Sequence, residues 1–140
     1  MSNQNTDFYG ATSFINKDEQ GDYYLSGKKC NVCSAIFIDK RLTCAKCFEV
    51  NSISDIRLSN TGKLYSYSIV HRSFPGIDVP YISAIVDLDN GGTIKGNLIN
   101  VKPEPKNLSF DMRVKVIFRD ALGRKDQEGN SYISYFFEPI

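Results

Sequence analysis

Four cysteines are the side chains in this sequence whose type and spacing most clearly prescribe chemistry. They stand as Cys30-Asn31-Val32-Cys33 and Cys44-Ala45-Lys46-Cys47, two CxxC pairs with ten residues between them. A CxxC turn aims two thiolates at one side of a tight loop, and two such loops facing each other supply the four sulfurs of a tetrahedral zinc site. A closed four-sulfur shell leaves no position for water or substrate, so the expected cofactor is structural zinc, bound by Cys30, Cys33, Cys44 and Cys47. Zinc knuckles usually place glycine directly after the second cysteine, where the backbone takes a positive φ; here Ser34 and Phe48 stand instead.

The remaining inventory for catalysis is thin. His71 is the single histidine, and with every cysteine committed to metal no Cys–His nucleophile pair can form. Asp87 and Asp89 share a strand face but border a turn, where exposed aspartate is the ordinary expectation. No catalytic set is expected. Groups suited to phosphate or to stacking on a base do occur: His71, Arg72 and Phe74 in one loop, Lys95 and Asn97 around Gly96 on a strand, and Arg119, Arg124 and Lys125 in a basic stretch. These are the candidate ligand- or partner-binding residues. Gly96 is read as allowing close backbone approach, against a strand bulge with an outward Lys95.

The elements that must position these groups are strands. Tyr23-Tyr24-Leu25 forms a short strand running into Gly27 and the first cysteine pair, and residues 35–42 form a small hairpin between the pairs. Metal then replaces the core that such a module lacks. From residue 60 onward five strand-like runs follow, at 63–70, 81–88, 93–99, 112–118 and 132–137. The first alternates Leu64, Ser66, Ser68 against Tyr65, Tyr67, Ile69, and Asp89-Asn90-Gly91-Gly92 marks a tight hairpin between the second and third. Five short strands, with longer loops at 71–80 and 120–131, outline an OB-fold barrel whose ligands meet the second and third strands and those loops. The tail Tyr135-Phe136-Phe137-Glu138-Pro139-Ile140 ends apolar and is expected to close the barrel or pack on a partner.

The expected fold class is mainly β: an N-terminal docking segment at 1–26 carrying Phe8, Tyr9, Phe14 and Ile15, a rubredoxin-like zinc ribbon at 27–50, and a five-stranded OB-fold domain at 51–140. A hydrophobic fraction of 41% is enough for a core, and no run approaches the roughly 18 apolar residues of a membrane span. The N-terminus has neither a basic start nor an apolar run, so a cytoplasmic protein without a membrane partner is expected, in a compartment that disfavours disulfides. A net charge of +1 falls short of the basic surplus of a nucleic-acid binder. Ribbons and OB-folds nonetheless both serve that purpose, so a single-stranded nucleic-acid-binding protein is the alternative reading.

Gly27-Lys28-Lys29-Cys30, Gly62-Lys63-Leu64-Tyr65-Ser66-Tyr67-Ser68 and Val79-Pro80-Tyr81-Ile82-Ser83-Ala84-Ile85-Val86, in that order behind an aromatic N-terminal segment, give the chain a family resemblance. It resembles the zinc-ribbon plus OB-fold accessory subunits of thiolase-type acyl-CoA enzymes, among them the small subunit of benzoylsuccinyl-CoA thiolase. The resemblance covers nearly the whole chain. It implies a subunit that does not itself make or break the carbon bond, paired with a thiolase-fold protein that brings the nucleophile, with acyl-CoA or CoA at or near their interface.

Overall fold

The computed structural model describes residues 14–38, 40–125 and 128–140, the side chain of Arg124 excepted. Phe8 and Tyr9 of the expected docking segment lie outside the described residues. Nine strands appear among them: β1 (Ile15–Lys17), β2 (Tyr23–Cys30), β3 (Ile36–Phe37), β4 (Ile53–Arg57), β5 (Thr61–Val70), β6 (Tyr81–Leu88), β7 (Thr93–Leu98), β8 (Arg113–Lys125) and β9 (Ser131–Pro139). A single 3-10 turn, Pro105–Asn107, sits in the proline-bearing connection. No helix among the described residues is long and apolar enough to cross a membrane.

Strands β5 to β9 close into a barrel in the order β5-β6-β7-β9-β8. Closure follows from the alternation of β6: Ile82, Ala84, Val86 and Leu88 are buried, while Tyr81, Ser83, Ile85 and Asp87 are only half-covered on the outside. The tail completes the ring, because Phe137 is buried in the barrel and pairs with Leu98, and the Ile99 amide donates to the Phe137 carbonyl at 2.8 Å. Of the two fates expected for the tail, this is closure of the barrel.

Strand β5 departs from the simple alternation read in its sequence. Its register passes from Leu64↔Val86 to Ser66↔Ile85, so Tyr65 bulges out unpaired, and Leu64, Tyr67 and Ile69 all meet inward-facing β6 residues. One extra residue reverses the parity of everything after it. A second irregularity lies between Asp120 and Lys125 of β8. There Leu122 (φ 57°) and Gly123 (φ 81°) turn left-handed, and the Gly123 amide donates to Asp120 Oδ2 at 2.8 Å. Much of the loop expected at 120–131 is therefore strand, carried by this irregularity up to Lys125.

Before the barrel, β2 is the spine of a four-stranded sheet, paired antiparallel to β1, β3 and β4. That sheet runs from residue 15 to residue 57, across both divisions expected at 26/27 and 50/51. It shares one apolar core with the barrel. Ile15, Leu25 and Leu58 cluster with Leu64, Val86, Ile94, Val114 and Phe137, and Phe14 meets Tyr135 with ring centroids 5.6 Å apart. Phe14 and Ile15 thus cover the chain's own barrel.

The Asp89-Asn90-Gly91-Gly92 turn joins the two parts. Asn90 Oδ1 accepts the Ser59 amide at 2.9 Å and its Nδ2 donates to the Arg57 carbonyl at 3.2 Å, tying the exit of β4 to the barrel hairpin. Gly91 (φ 113°) leaves room for the Ile36 side chain of β3: an added Cβ would lie 2.7 Å from Ile36 Cδ1. Asp89 takes both guanidinium nitrogens of Arg113, at 2.7 and 2.6 Å.

Candidate metal centre and barrel mouth

The two cysteine loops are built alike. In the first, between β2 and β3, the Cys30 amide donates to Ala35 O (2.9 Å) and the Ser34 amide to Cys30 O (2.9 Å). In the second, Cys44 N donates to Glu49 O (3.0 Å) and Phe48 N to Cys44 O (2.9 Å). Ser34 and Phe48 have φ values of 67° and 66°. The left-handed geometry that glycine usually supplies is thus present in both loops, although an L-residue holds it at a cost of about 1–2 kcal/mol.

These loops bring Cys30, Cys33, Cys44 and Cys47 together, with one Sγ from each within 4.8 Å of all the others. Cys30 and Cys47 sulfurs are 3.7 Å apart and Cys33 and Cys44 sulfurs 3.5 Å. Four sulfurs at about 2.3 Å from a tetrahedral ion would be separated by about 3.8 Å, whereas a disulfide needs about 2.05 Å. All four thiols are free, and the donor set fits a tetrahedral metal ion.

Electrostatics favour the thiolates at the buried corner. Cys30 is held down to about 6, first by the Ser52 hydroxyl at 3.3 Å and then by loop amides. Burial pushes Cys44 up, but the amides of Cys47 and Lys46, each 3.3 Å from its sulfur, leave it below the ordinary thiol value. For Cys47 the Glu49 amide lowers the thiol, yet burial and the three neighbouring sulfurs outweigh it and push it up to about 12. Four negative charges cannot share this volume without a cation. Ser52, the one buried polar residue of the described chain, went unnoticed in the sequence because a lone serine carries no spacing signal.

Of the second group of candidates, the structure brings together the 71–80 loop and Asn97 at one mouth of the barrel. His71, Arg72 and Phe74 stand in the exposed 71–80 loop, and Phe74 is 80% exposed. Asn97 joins that loop: with Gly76, Ile77, Asp78, Tyr81 and Leu122 it lines a cavity of about 50 Å³. Lys95 points outward on β7, opposite Ile85. Arg119 is exposed on β8 opposite Ser134, and Lys125 donates to Ser131 Oγ at 2.7 Å across the β8–β9 hairpin. Gly96 is neither a bulge nor a ligand approach. Its register with Ala84 is regular, and the space above it holds ring carbons of Tyr135 and Phe137, 2.8 and 2.9 Å from where a Cβ would lie. Asp87 and Asp89 are engaged with Thr93 and Arg113 and form no acid–base pair.

A family model described as ChsH2, C-terminal OB-fold domain, matches residues 55–119. A DUF35 domain-containing scaffold protein of Methanocaldococcus jannaschii is 32% identical over 120 residues, spanning 84% of this chain and 83% of its own. The chain belongs to the DUF35 family. It is also similar to the benzoylsuccinyl-CoA thiolase subunit BbsA of Thauera aromatica, 30% identical over 121 residues, spanning 84% of this chain and 77% of that one. Among solved structures, the Ltp2-ChsH2(DUF35) aldolase has the same fold, with a TM-score of 0.66 at 24% identity, covering 83% of this chain and 84% of that chain. The DUF35 fold therefore spans both the ribbon and the barrel of this chain.

Proposed function

We propose that this DUF35 chain is a non-catalytic subunit of a thiolase-fold enzyme complex, supporting assembly and acyl-CoA binding or channelling during thiolytic C–C cleavage or its reverse. The observation that carries this reading is similarity along most of the chain to a thiolase subunit and to scaffold proteins. It accords with a site inventory in which all four cysteines close on one another and the single histidine lies on an exposed loop.

The ion at the four sulfurs is zinc, and its contribution is to hold the ribbon folded. Cys30, Cys33, Cys44 and Cys47 bind it, and the Ser52 hydroxyl supports the Cys30 thiolate. The reducing cytoplasm keeps such thiolates available to a metal. His71, Arg72, Phe74, Lys95, Asn97, Arg119, Arg124 and Lys125 are the residues proposed to meet an acyl-CoA or the partner surface beside it, by their cations and aromatic ring.

Affinity purification of the tagged chain from native extract, with mass-spectrometric identification, tests the proposal. Recovery of a thiolase-fold protein in stoichiometric amount is expected. Recovery of the free chain alone in repeated preparations overturns it, and a salt-sensitive shift of single-stranded oligonucleotides at physiological ionic strength would favour the nucleic-acid reading instead.

A further inference from the structure

The second cysteine loop carries a side chain that the folded chain does not use. Phe48 occupies a left-handed position, φ 66°, at which glycine is the unstrained residue. Its ring is 75% exposed, so burial returns little of that strain. Two more large apolar side chains are exposed in the same hairpin: Leu42 (79%) and Val50 (63%). The Thr43↔Val50 bridge and the Asn51 amide on Leu42 O, at 3.1 Å, hold these segments side by side around Cys44 and Cys47. By contrast Ile36, Phe37 and Ile38 of the first hairpin are half-buried, and Ile36 and Ile38 pack against the core shared with the barrel.

We propose that Phe48, flanked by Leu42 and Val50, is the anchor by which the ribbon docks into an apolar recess on the enzyme subunit. The inference rests on the proposed function for the existence of that subunit. The three residues expose roughly 400 Å², about half of what one partner contributes to an interface of standard size. An aromatic ring projecting from a metal-stapled turn loses little further freedom on binding, the property of an interface hot spot. A second copy of this chain would offer another projecting ring where a recess is needed. A lipid surface would meet exposed Thr43, Glu49 and Asn51 between the apolar groups. Residues 40–51 carry Glu49 as their one acid against Lys40, Arg41 and Lys46, with Lys40 and Lys46 exposed, and this basic surplus suits a recess with an acidic rim.

Phe48→Gly in the full chain tests this, because it relieves the strain while removing the ring. The isolated variant is expected to keep its metal content and to melt no lower than the wild type, while recovery of the thiolase-fold subunit falls at least tenfold. If Phe48→Gly loses metal, the Leu42→Ser/Val50→Ser pair, which leaves the left-handed turn intact, is the deciding variant, with the same tenfold fall expected. Undiminished recovery of the subunit by the variant overturns the anchor while the proposed function stands; failure of the wild type to recover any thiolase-fold protein sinks both. Loss of a wild-type homodimer in the variant, with subunit recovery unchanged, assigns the ring to a second copy and also overturns the proposal.

Discussion

Metal removal should unfold one part of this protein and leave the other standing. Residues 31–51 comprise about twenty residues whose ordering costs roughly 1–2 kcal/mol each in backbone entropy. Outside the strands, six backbone hydrogen bonds among the described residues hold them and their flanks: Cys30 N to Ala35 O, Asn31 N to Ser52 O, Ser34 N to Cys30 O, Cys44 N to Glu49 O, Phe48 N to Cys44 O and Asn51 N to Leu42 O. At about 1 kcal/mol net apiece these offset only a fraction of that cost. Burial adds little beyond the half-covered Ile36, Phe37 and Ile38, since Val32, Leu42, Phe48 and Val50 are all exposed and Cys44 is the one fully buried residue among those described in the segment. A structural zinc contributes about 10–16 kcal/mol in comparable peptides and is the single remaining term of the required size. The base of the ribbon does not share this dependence. Strands β2 and β4 pair from Ser26↔Arg57 to Cys30↔Ile53, and Leu25 and Leu58 are buried in the core shared with the barrel. Hydrogen exchange read by mass spectrometry, with and without a strong chelator, should therefore show loss of protection across 31–35 and 40–51, on either side of the core-packed β3, and none across β5 to β9. Cys44→Ser should reproduce the chelated pattern. A ribbon that stays protected without metal, or a barrel that loses protection in the same step, refutes the reasoning.

Three further outcomes are expected. Ser52→Ala removes the hydroxyl 3.3 Å from Cys30 Sγ and should weaken zinc affinity roughly ten- to a hundredfold in chelator competition, with the apo barrel unchanged. Gly96→Ala sets a methyl group 2.8 and 2.9 Å from the Tyr135 and Phe137 rings. Overpacking against a fully buried ring should destabilise the protein by about 1–3 kcal/mol, measured by denaturant titration. Acid should loosen the hairpin joint: Arg113 first, then Thr61, hold Asp89 well below its ordinary 3.8. A carboxylate depressed in the folded state stabilises above the unfolded value, and that stabilisation is lost as pH falls through and below it. The melting temperature of Asp89→Asn should accordingly lie below the wild type at neutral pH and converge on it below about pH 4, as scanning fluorimetry can check.

What was legible in the sequence is what is encoded locally. The CxxC spacing prescribes a cysteine loop whatever surrounds it, and Asp89-Asn90-Gly91-Gly92 prescribes a turn because its glycines take φ values of 113° and 91°. The five barrel runs could be read because 63–70 and 112–118 alternate and the other three are short, apolar stretches bounded by turn residues. What was not legible depends on partners. The Tyr65 bulge exists only relative to β6, and before pairing nothing distinguishes Tyr65 from the other tyrosines around it. Lys125 reads as loop because Gly123 and Arg124 precede it, yet pairing with Ser131 keeps it in strand. Ile53–Arg57 offers two apolar residues in five and is a strand because β2 supplies its hydrogen bonds. Gly96 looked like a place left open for a ligand, whereas the aromatic rings that fill it are forty residues away in sequence.

The same distinction bears on what the metal centre is for. Had the ribbon been an independent module on a tether, its orientation would be free, and the four sulfurs would fix only its internal shape. Here Asn90 bridges Arg57 and Ser59 to the barrel hairpin, Gly91 receives Ile36, and Ile15, Leu25 and Leu58 extend the barrel core beneath the sheet. The ribbon base is thereby as firmly placed as the barrel, and a metal at the four sulfurs would transmit that placement to the cysteine hairpins. A subunit that supports assembly needs two surfaces at a fixed separation, because effective concentration falls when the connection between them is loose. The ribbon tip with its exposed Phe48 and the barrel mouth around the 71–80 loop are two such surfaces, joined by packed core and hydrogen bonds throughout. On this argument metal loss abolishes the geometry at one surface while leaving the other intact, so chelation should weaken complex formation without altering any direct affinity of the full chain for acyl-CoA. An acyl-CoA affinity that rises and falls with zinc would place ligand contacts on the ribbon and contradict this division of labour.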